Sequence, residues 1–473
     1  MELFLGIDLG TSYFKAGLFD INGILRGLGR KFVKKDTEDG VKCELPVDYF
    51  WSLLHQCLAE AYQQAQAKPE YIKAVSYSSQ ASSFLLLDSS DKPITPLILW
   101  PDSRVEEMDS AVRSIFQRND FQETTGLGIG LSSQFCIAKL RWFQKNQPSL
   151  WGRVKRIMTI SDYLNFGLTG QRVGDLGTAS LLGLLEIQKC QWWDDALQIL
   201  ELDKQQLSTP FRLGTMAGTI TKEGARRVGL PSGIPFIAGG LDHHVAALGA
   251  GLGQYTDMSE STGTVLACVN YQDEYFPKKD ICIAPGFSDN HYFQMTFDEN
   301  GANPLEWYQK QYASGLSILD LLDMAADTKI GSEGLVASPC TGSYKNPDGF
   351  IDVKQLHQHG HFVRAILEST ALSLAGIVEK LVGKNLPDRI VSTGGGAQST
   401  LWRQIKADIL GIEFTVTECS EPACMGAALF AAIAVGRFNN LKEAASVWIK
   451  NKEIVMPNPG NREFYSEWSQ YVK

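Results

Sequence analysis

Three short apolar segments at the N-terminus, each separated from the next by a tight polar turn, constrain the fold more than any other feature of this chain. They are residues 3–8, 14–20 and 24–30. Strands joined by turns this short pair antiparallel, whereas a dinucleotide-binding fold opens with a strand, a helix and a parallel strand. The sequence therefore predicts a β-meander and excludes a βαβ beginning.

The same order of strand, small polar turn and strand returns in the second half of the chain. Residues 257–261 and 265–270 flank the turn Thr262-Gly263-Thr264. A chain of 473 residues exceeds one ordinary core, so two domains are expected, and no low-complexity linker marks their boundary. We place the domains at residues 1–245 and 246–473, and the returning pattern favours two related lobes.

Composition excludes several classes of protein. The hydrophobic share of 44% and the charged share of 21% are typical of a soluble globular protein. The net charge of −9 argues against a nucleic-acid partner, and no apolar run is long enough to span a membrane. The nine cysteines are scattered and odd in number, which favours a reducing cytoplasm over a disulfide framework.

The first N-terminal turn carries groups that suit phosphate. Gly10 permits a sharp turn whose amides, with the hydroxyls of Thr11 and Ser12, can donate to phosphate oxygens. Asp8 at the strand end could hold Mg²⁺, and Lys15 on the next strand could add a positive charge. The alternative is an ordinary hairpin with polar turn residues.

A second acid follows two glycines at a junction between strand and helix. Asp242 comes after Gly239 and Gly240, where backbone can approach a ligand closely. Such a position exposes a carboxylate at the sheet edge, where a general base could reach a substrate hydroxyl. It is equally the position of a helix N-cap, so both roles stay open.

Two further glycine-containing turns lie in the second half. Like the N-terminal turn, the turn Thr262-Gly263-Thr264 combines a glycine with amides and hydroxyls that can donate to phosphate. The run Gly394-Gly395-Gly396-Ala397 joins a strand to a helix, where close approach and the helix N-terminus favour an anionic ligand. It lacks the spacing of a dinucleotide fingerprint, and plain structural turns are the alternative for both.

The run Trp100-Pro101-Asp102-Ser103-Arg104 is the last polar cluster of interest. Asp102 and Arg104 could bind sugar hydroxyls, or they could simply pair with each other.

In this order, the motifs resemble the FGGY family of carbohydrate kinases over nearly the whole chain. The matching pieces are residues 6–12, 100–104, 139–142, 239–242, 261–264, 394–397 and 425–428. The resemblance implies an α/β protein with two actin-like, RNase H-like lobes and a central cleft. It places the sugar mainly on lobe 1–245 and ATP mainly on lobe 246–473.

The resemblance also implies roles for individual residues. Asp242 matches the general base, and Asp8 matches the acid associated with Mg²⁺. The remaining matches concern ATP: Thr11, Ser12 and Lys15 near the transferred phosphate, Thr262, Gly263 and Thr264 on the phosphates, and Gly395, Gly396 and Ala397 beside the adenosine. ATP and Mg²⁺ are therefore the expected cofactors, and a homodimer is a family-level expectation.

The chain departs from the family pattern at several positions. Gln134 and Cys136 stand where other residues are usual, and Asp352 stands at an expected glycine. Residues 78–82 lack both the Arg-Glu pair expected of glycerol kinases and the Met-His pair typical of xylulokinases. The run of residues 100–104 nevertheless looks most like that of ketopentose kinases.

We therefore predict a kinase for a ketose such as xylulose or another pentulose. The candidate sugar-pocket residues are Gln80, Asp102, Gln134, Asp242 and His243. The alternatives are a kinase for a polyol, a sugar acid or a small signalling molecule, and a non-catalytic actin-like regulator that binds nucleotide.

Overall fold

Residues 2–37, 40–338 and 349–472 are described in the computed structural model, and the chain divides into two compact units. The first unit comprises the chain up to Gly249 together with Tyr271–Gln294 and Cys419–Ile449. The second comprises Ala250–Asn270, Met295–Glu418 and the chain from Lys450 onward. Two later segments thus belong to the first unit, which a single cut after residue 245 does not anticipate. The assignment of the sugar to one lobe and ATP to the other stays a prediction.

Both units contain strands and helices. The strands are β1 (Leu3–Leu9), β2 (Tyr13–Asp20), β3 (Leu25–Phe32), β4 (Glu44–Leu45), β5 (Ile72–Ser79), β6 (Phe84–Leu87), β7 (Leu97–Ile98), β8 (Arg156–Thr159), β9 (Val173–Asp175), β10 (Leu185–Glu186), β11 (Gln191–Trp192), β12 (Thr209–Phe211), β13 (Met216–Thr219), β14 (Pro235–Ile237), β15 (Gly240–Leu241), β16 (Met258–Thr262), β17 (Leu266–Gln272), β18 (Cys282–Pro285), β19 (Tyr292–Asp298), β20 (Val336–Ala337), β21 (Phe350–Ile351), β22 (Arg389–Thr393), β23 (Glu413–Thr417) and β24 (Asn451–Val455). The helices are α1 (Val47–Ala65), α2 (Ser110–Phe116), α3 (Phe121–Thr125), α4 (Cys136–Asn146), α5 (Pro148–Trp151), α6 (Ile160–Thr169), α7 (Leu176–Ser180), α8 (Asp194–Ile199), α9 (Lys222–Val228), α10 (Asp242–Gly249), α11 (Asn303–Tyr312), α12 (Ile318–Ala326), α13 (His359–Val382), α14 (Thr400–Leu410), α15 (Pro422–Ala434), α16 (Leu441–Trp448) and α17 (Pro459–Val472). The predicted α/β class is confirmed.

The main sheet of the first unit has the order β13-β14-β5-β1-β2-β3, with β15 also paired to β5. The strands β1, β2 and β3 pair antiparallel in succession, so the predicted meander is confirmed. The strands β5, β14 and β15 add to this meander in parallel: β5 pairs with β1, and both β14 and β15 pair with β5.

The second unit repeats this pattern in its own sheet, where β17, β16, β22, β23 and β24 are successive neighbours. The hairpin β16–β17 is antiparallel, β22 and β23 add in parallel, and β24 closes antiparallel. In the first unit, β13 likewise closes antiparallel on β14. The shared topology supports the prediction of two related lobes.

Small residues let helix α15 lie very close to the first unit's sheet and to α10. A side chain at Gly426 would place its Cβ 2.1 Å from the carbonyl oxygen of Val245, so only glycine fits there. This close contact explains the small-residue run at residues 426–428. It also fixes the residue just before α15, Glu421, beside the β1–β2 hairpin, where it reaches Lys15.

The sequence pattern predicts helices over residues 132–144, 244–253 and 361–381, and the bounds of all three differ in the structure. The helix predicted over residues 132–144 begins only at Cys136, and the helix predicted from residue 244 begins at Asp242. The long amphipathic helix predicted over residues 361–381 runs from His359 to Val382. Within the described residues, no helix combines the length and the apolar character needed to cross a membrane.

Asp352, which stands where the family pattern expects glycine, has a φ of 61°. This is the left-handed region that glycine adopts without strain and that aspartate tolerates better than most residues. Asp352 therefore adopts a backbone conformation that a glycine would also allow.

Candidate active site

Three strands of the first unit end at one edge of its sheet. β1 and β15 both run parallel to β5, with Leu9 and Leu241 each opposite Ser79. The residues that follow these strand ends are Gly10, Gln80 and Asp242. Candidates from three distant parts of the sequence are therefore brought together by strand register.

Asp8 is the buried acid of this edge, with 6% of its surface exposed. Its Oδ1 accepts a hydrogen bond from Ser78 Oγ at 3.1 Å, because the two residues are register partners on β1 and β5. Burial raises the pKa of Asp8 to about 6; Lys15 opposes this shift, and the charge of Asp242 adds to it. The two candidate acids are therefore close enough to interact electrostatically.

Lys15 bridges two carboxylates. It lies opposite Asp8 in the β1–β2 register, with its Nζ 3.6 Å from Asp8 Oδ2 and 2.7 Å from Glu421 Oε2. Although burial lowers it, these two carboxylates raise the pKa of Lys15 above its usual value. The sequence analysis missed Glu421. Its position before Pro422 suggests a helix cap, yet its side chain makes no capping hydrogen bond.

Asp242 is half-buried and is the first residue of α10. Its Oδ1 accepts a hydrogen bond from the backbone N–H of His243 at 2.8 Å, and no other described hydrogen bond reaches the carboxylate. The helix N-terminus favours a negative charge at this position. The helix-start role and a role as base are thus compatible, since one oxygen stays available within the described surroundings.

The turn after β1 is held by neutral side chains. Thr11 Oγ1 accepts a hydrogen bond from Trp100 Nε1 at 2.7 Å and donates to Gln80 Oε1 at 3.4 Å. Gln80, only 3% exposed, also donates from Nε2 to the carbonyl oxygen of Gly10 at 3.4 Å. Ser12 is exposed. Gln80 therefore supports the turn, and Ser12 offers the turn's exposed hydroxyl.

A buried lysine supports Trp100 in turn. Lys139 is fully buried and donates from Nζ to the carbonyl oxygens of Leu99 and Trp100, each at 3.1 Å. Burial lowers the pKa of Lys139 to about 8. The run of residues 139–142 thus contributes to the site indirectly, by fixing the segment that holds Thr11.

The other sugar candidates are placed differently from one another. Asp102 is fully buried and accepts from Arg104 Nε at 2.8 Å, from Arg104 Nη2 at 2.7 Å and from the Cys43 N–H at 2.7 Å. Although burial raises it, these hydrogen bonds hold the pKa of Asp102 below its usual value. Asp102 and Arg104 thus pair with each other. Gln134 is exposed before α4, and His243 is half-buried on α10.

The turn of the second unit is held by ionic side chains. Thr262 is fully buried; its hydroxyl donates to Glu260 Oε2 at 2.8 Å and accepts from Lys406 Nζ at 2.7 Å. The Gly263 N–H donates to the carbonyl oxygen of Val265 at 3.1 Å. Thr264 is exposed, so it is the residue whose hydroxyl faces solvent in this turn.

The glycine-rich run of the second unit packs against the same threonine. Gly394 has a φ of 82°, and a Cβ at this position would lie 2.8 Å from the Thr262 carbonyl oxygen. A Cβ added to Gly396 would lie 2.7 Å from that of Thr262. Gly395 is exposed, whereas Gly396 and Ala397 are buried. The two predicted nucleotide turns of this unit are therefore in contact.

The acids suit Mg²⁺ better than a metal that needs a cage of protein ligands. Among the described residues, no group of three or more His, Cys, Asp or Glu side chains could hold a metal ion. Mg²⁺ is usually bound by one or two carboxylates together with water and substrate phosphates. Asp8, a single buried carboxylate beside the turn Gly10-Thr11-Ser12, fits that pattern.

Comparison with known proteins identifies the family. The model of the FGGY family of carbohydrate kinases, N-terminal domain, matches residues 3–249, and the model of its C-terminal domain matches residues 342–435. A xylulose kinase of Lactococcus lactis is 30% identical across the whole of this chain and 97% of that protein. A gluconokinase of Bacillus subtilis is 26% identical across 92% of this chain and 88% of that protein.

The fold agrees with these matches. The crystal structure of a xylulose kinase from Rhodospirillum rubrum superposes with a TM-score of 0.90 over 99% of this chain and 97% of that one, at 23% identity. The chain belongs to the FGGY family of carbohydrate kinases. It is a sugar kinase with the fold of that family, and family membership implies that ATP is its co-substrate.

Proposed function

We propose that this kinase transfers the γ-phosphoryl group of ATP to a hydroxyl of a ketose such as xylulose or another pentulose. The observation that carries the proposal is the placement of Asp8, Lys15 and Asp242 at one sheet edge beside the turn Gly10-Thr11-Ser12. Phosphoryl transfer needs positioning and charge neutralisation more than covalent help, and this edge supplies a base, a cation and donors.

Asp242 is the proposed general base. Its carboxylate accepts the proton of the sugar hydroxyl while that oxygen forms a bond to the γ-phosphorus. The bond from the γ-phosphorus to the bridging oxygen breaks, and the electron pair leaves with ADP. Lys15 and the exposed Ser12 hydroxyl would bind the transferred group, with Thr11 and Gly10 shaping the turn.

Mg²⁺ would be held by Asp8, directly or through water, and would neutralise charge on the ATP phosphates. In the second unit we assign ATP binding to Thr264 with Gly263, held in place by Thr262, and to the run of Gly395, Gly396 and Ala397. The exposure of Thr264 and Gly395 supports this assignment.

The substrate class rests on two supports. Residues 100–104 resemble those of ketopentose kinases, and relatives named xylulose kinase match over the full chain. Relatives named gluconokinase favour a sugar acid as the second candidate. Among the predicted sugar residues, His243 and Gln134 are the more accessible, whereas Gln80 and Asp102 would act by supporting the pocket.

A substrate panel tests this proposal. ADP release would be measured with MgATP over pentuloses, hexuloses, sugar acids and polyols. We expect the highest kcat/KM with a pentulose; a sugar acid in first place would replace the ketose assignment. No turnover with any member, despite ATP binding, would contradict the proposed reaction.

Substituting Asp242→Asn tests the base. We expect kcat to fall by about 10²–10⁴-fold, the usual contribution of a general base, with ATP affinity nearly unchanged. Asp195→Asn is the matched control, because this carboxylate on α8 is 58% exposed. Turnover near that of the wild type in the Asp242 variant would rule out its role.

A homodimer also stays part of the proposal, supported by the family resemblance alone, and sedimentation at micromolar concentration would test it.

A further inference from the structure

Helix α14 carries two buried cations on one face. Arg403 and Lys406 lie three residues apart, and 4% and 0% of their surfaces are exposed. Side chains at this spacing project from the same side of a helix. Arg403 donates from Nη1 to the carbonyl oxygen of Ala397, and Lys406 donates to Thr262. One helix face therefore contacts both glycine-containing turns of the second unit.

The charge of Lys406 is balanced by Glu260 on β16. The two groups are 2.8 Å apart, and both side chains have no exposed surface. Glu260 also accepts hydrogen bonds from Ser392 and Thr262. Burial lowers the pKa of Lys406, and Glu260 opposes that shift. Each member of the ion pair thus makes further hydrogen bonds, Lys406 to Thr262 and Glu260 to Ser392 and Thr262. A buried pair needs such bonds to offset the cost of desolvation.

Stability alone is a weak reason for such a pair. Apolar residues of similar volume often stabilise a core equally well or better, because taking two charges out of water is costly. What an apolar pair cannot do is fix a hydroxyl. Lys406 and Glu260 together occupy both the acceptor and the donor function of Thr262 Oγ1, which leaves its side chain a single orientation.

The orientation of Thr262 matters because both turns depend on it. Its carbonyl and its side chain lie directly beneath Gly394 and Gly396, with no room for a Cβ at either glycine. Gly263 and Thr264 follow it in the chain. A shift of Thr262 would therefore move the exposed Thr264 and the glycine-rich run together.

We propose that Lys406 and Glu260 are positioning residues for ATP, acting through Thr262. They touch no ligand; they hold the two turns in the geometry that binds the nucleotide phosphates and adenosine. This inference rests on the proposed ATP-binding role of those turns. In metal sites, mutation of a residue that holds a ligand in place costs about 10–100-fold in affinity or activity, and we expect an effect of that order here.

The double variant Lys406→Met with Glu260→Gln tests the inference. It removes both charges, and the introduced amide accepts from one of the two hydroxyls of Ser392 and Thr262 and donates to the other, so the protein is expected to fold. We expect the KM for ATP to rise at least about tenfold, with the KM for the sugar nearly unchanged. Calorimetric ATP titration without sugar should show the same loss of affinity.

A second buried ion pair of the same unit provides the control. Arg364 and Glu368 on α13 lie 2.9 Å apart with side chains 6% and 0% exposed, and their hydrogen bonds go to other segments. Arg364→Met with Glu368→Gln should leave the KM for ATP unchanged. An equal rise in both double variants would reduce the Lys406–Glu260 pair to a structural role.

A third variant examines the hydroxyl itself. Thr262→Val keeps the ion pair but removes the link, and it should raise the KM for ATP as the double variant does, whereas Thr262→Ser should restore binding. If the wild-type protein binds no ATP, the proposed function fails. If the wild type binds ATP and the Lys406–Glu260 variant binds it equally well, only this inference fails.

Discussion

The two units each place a small polar turn between antiparallel strands. The acids beside the two turns differ in how far they are buried and how close their lysine partner lies. In the first unit, Asp8 and Lys15 are 3.6 Å apart, with side chains 9% and 21% exposed. In the second, Glu260 and Lys406 are 2.8 Å apart, with no exposure. The Asp8–Lys15 pair has a longer separation and some contact with solvent, so its groups can exchange partners with a ligand. The Glu260–Lys406 pair has no contact with solvent, so it can only fix the position of neighbouring protein groups.

The threonines of the two turns show the same contrast. Thr11 is half-buried and held by an indole N–H and by a long 3.4 Å hydrogen bond to an amide. Thr262 is fully buried and held by an ammonium and a carboxylate within 2.8 Å. Hydrogen bonds to charged groups are stronger than those between neutral groups. Thr11 follows its turn glycine and Thr262 precedes its own, so the two units hold a threonine on opposite sides of the glycine and surround it with neutral groups in one unit and charged groups in the other.

The largest expected effect separates activity from stability in the first unit. Asp8→Asn should lower kcat/KM by about 10²–10³-fold, since it removes the carboxylate that we propose holds Mg²⁺. Burial raises the pKa of Asp8 to about 6 in the folded protein, well above the ordinary value of an aspartate, so the folded state binds this proton more tightly than the unfolded state.

This difference in pKa fixes the sign of the effect on stability. Protonated Asp8 stabilises the folded state fully below about pH 4, and this stabilisation is lost as the pH rises to about 6. Ionised Asp8 therefore destabilises the fold at pH 7. Asp8→Asn should thus raise the free energy of unfolding at pH 7 by about 1–3 kcal/mol. Urea denaturation and steady-state kinetics measure the two quantities. A variant that is inactive because it is unstable would contradict the comparison.

A smaller effect, on stability, is expected in the second unit. Glu260→Gln leaves the buried Lys406 without an opposite charge, and it should lower the free energy of unfolding by about 3 kcal/mol. Urea denaturation measures it against Glu306→Gln, which breaks an exposed pair with Lys310 on α11 and should cost less than about 1 kcal/mol. Equal losses in the two variants would mean that Glu260 does not compensate the buried charge of Lys406.

The smallest expected effect is a shift in pH dependence. Glu421→Gln removes a negative charge that raises the pKa of Asp8, and it releases Lys15 toward Asp8. Both changes lower the pKa of Asp8, so the acid limb of kcat/KM should move to lower pH, by less than about one unit. A pH–rate profile from pH 5 to 8 measures this shift. Movement to higher pH would exclude Asp8 as the group that sets the limb.

Much of this protein is encoded in local patterns. The N-terminal meander, its counterpart in the second half and the long helix α13 follow from the spacing of apolar residues and turn residues, which act over a few positions. The family was recognisable from seven motifs in order, and family models and relatives confirm it. The φ of 61° at Asp352 is one that glycine adopts without strain.

Tertiary structure decided which of the polar residues meet. No spacing rule links Glu421 to Lys15 or Lys406 to Glu260, because each pair lies more than a hundred positions apart and is joined only by helix packing on a sheet. Burial likewise turned Asp102 and Gln80 toward neighbouring protein groups. The sequence by itself determined the two strand-turn-strand motifs and the family. Packing decided that the acid beside the first turn keeps a small exposed surface and the acid beside the second keeps none, since burial and partner distance set the energy of a charge.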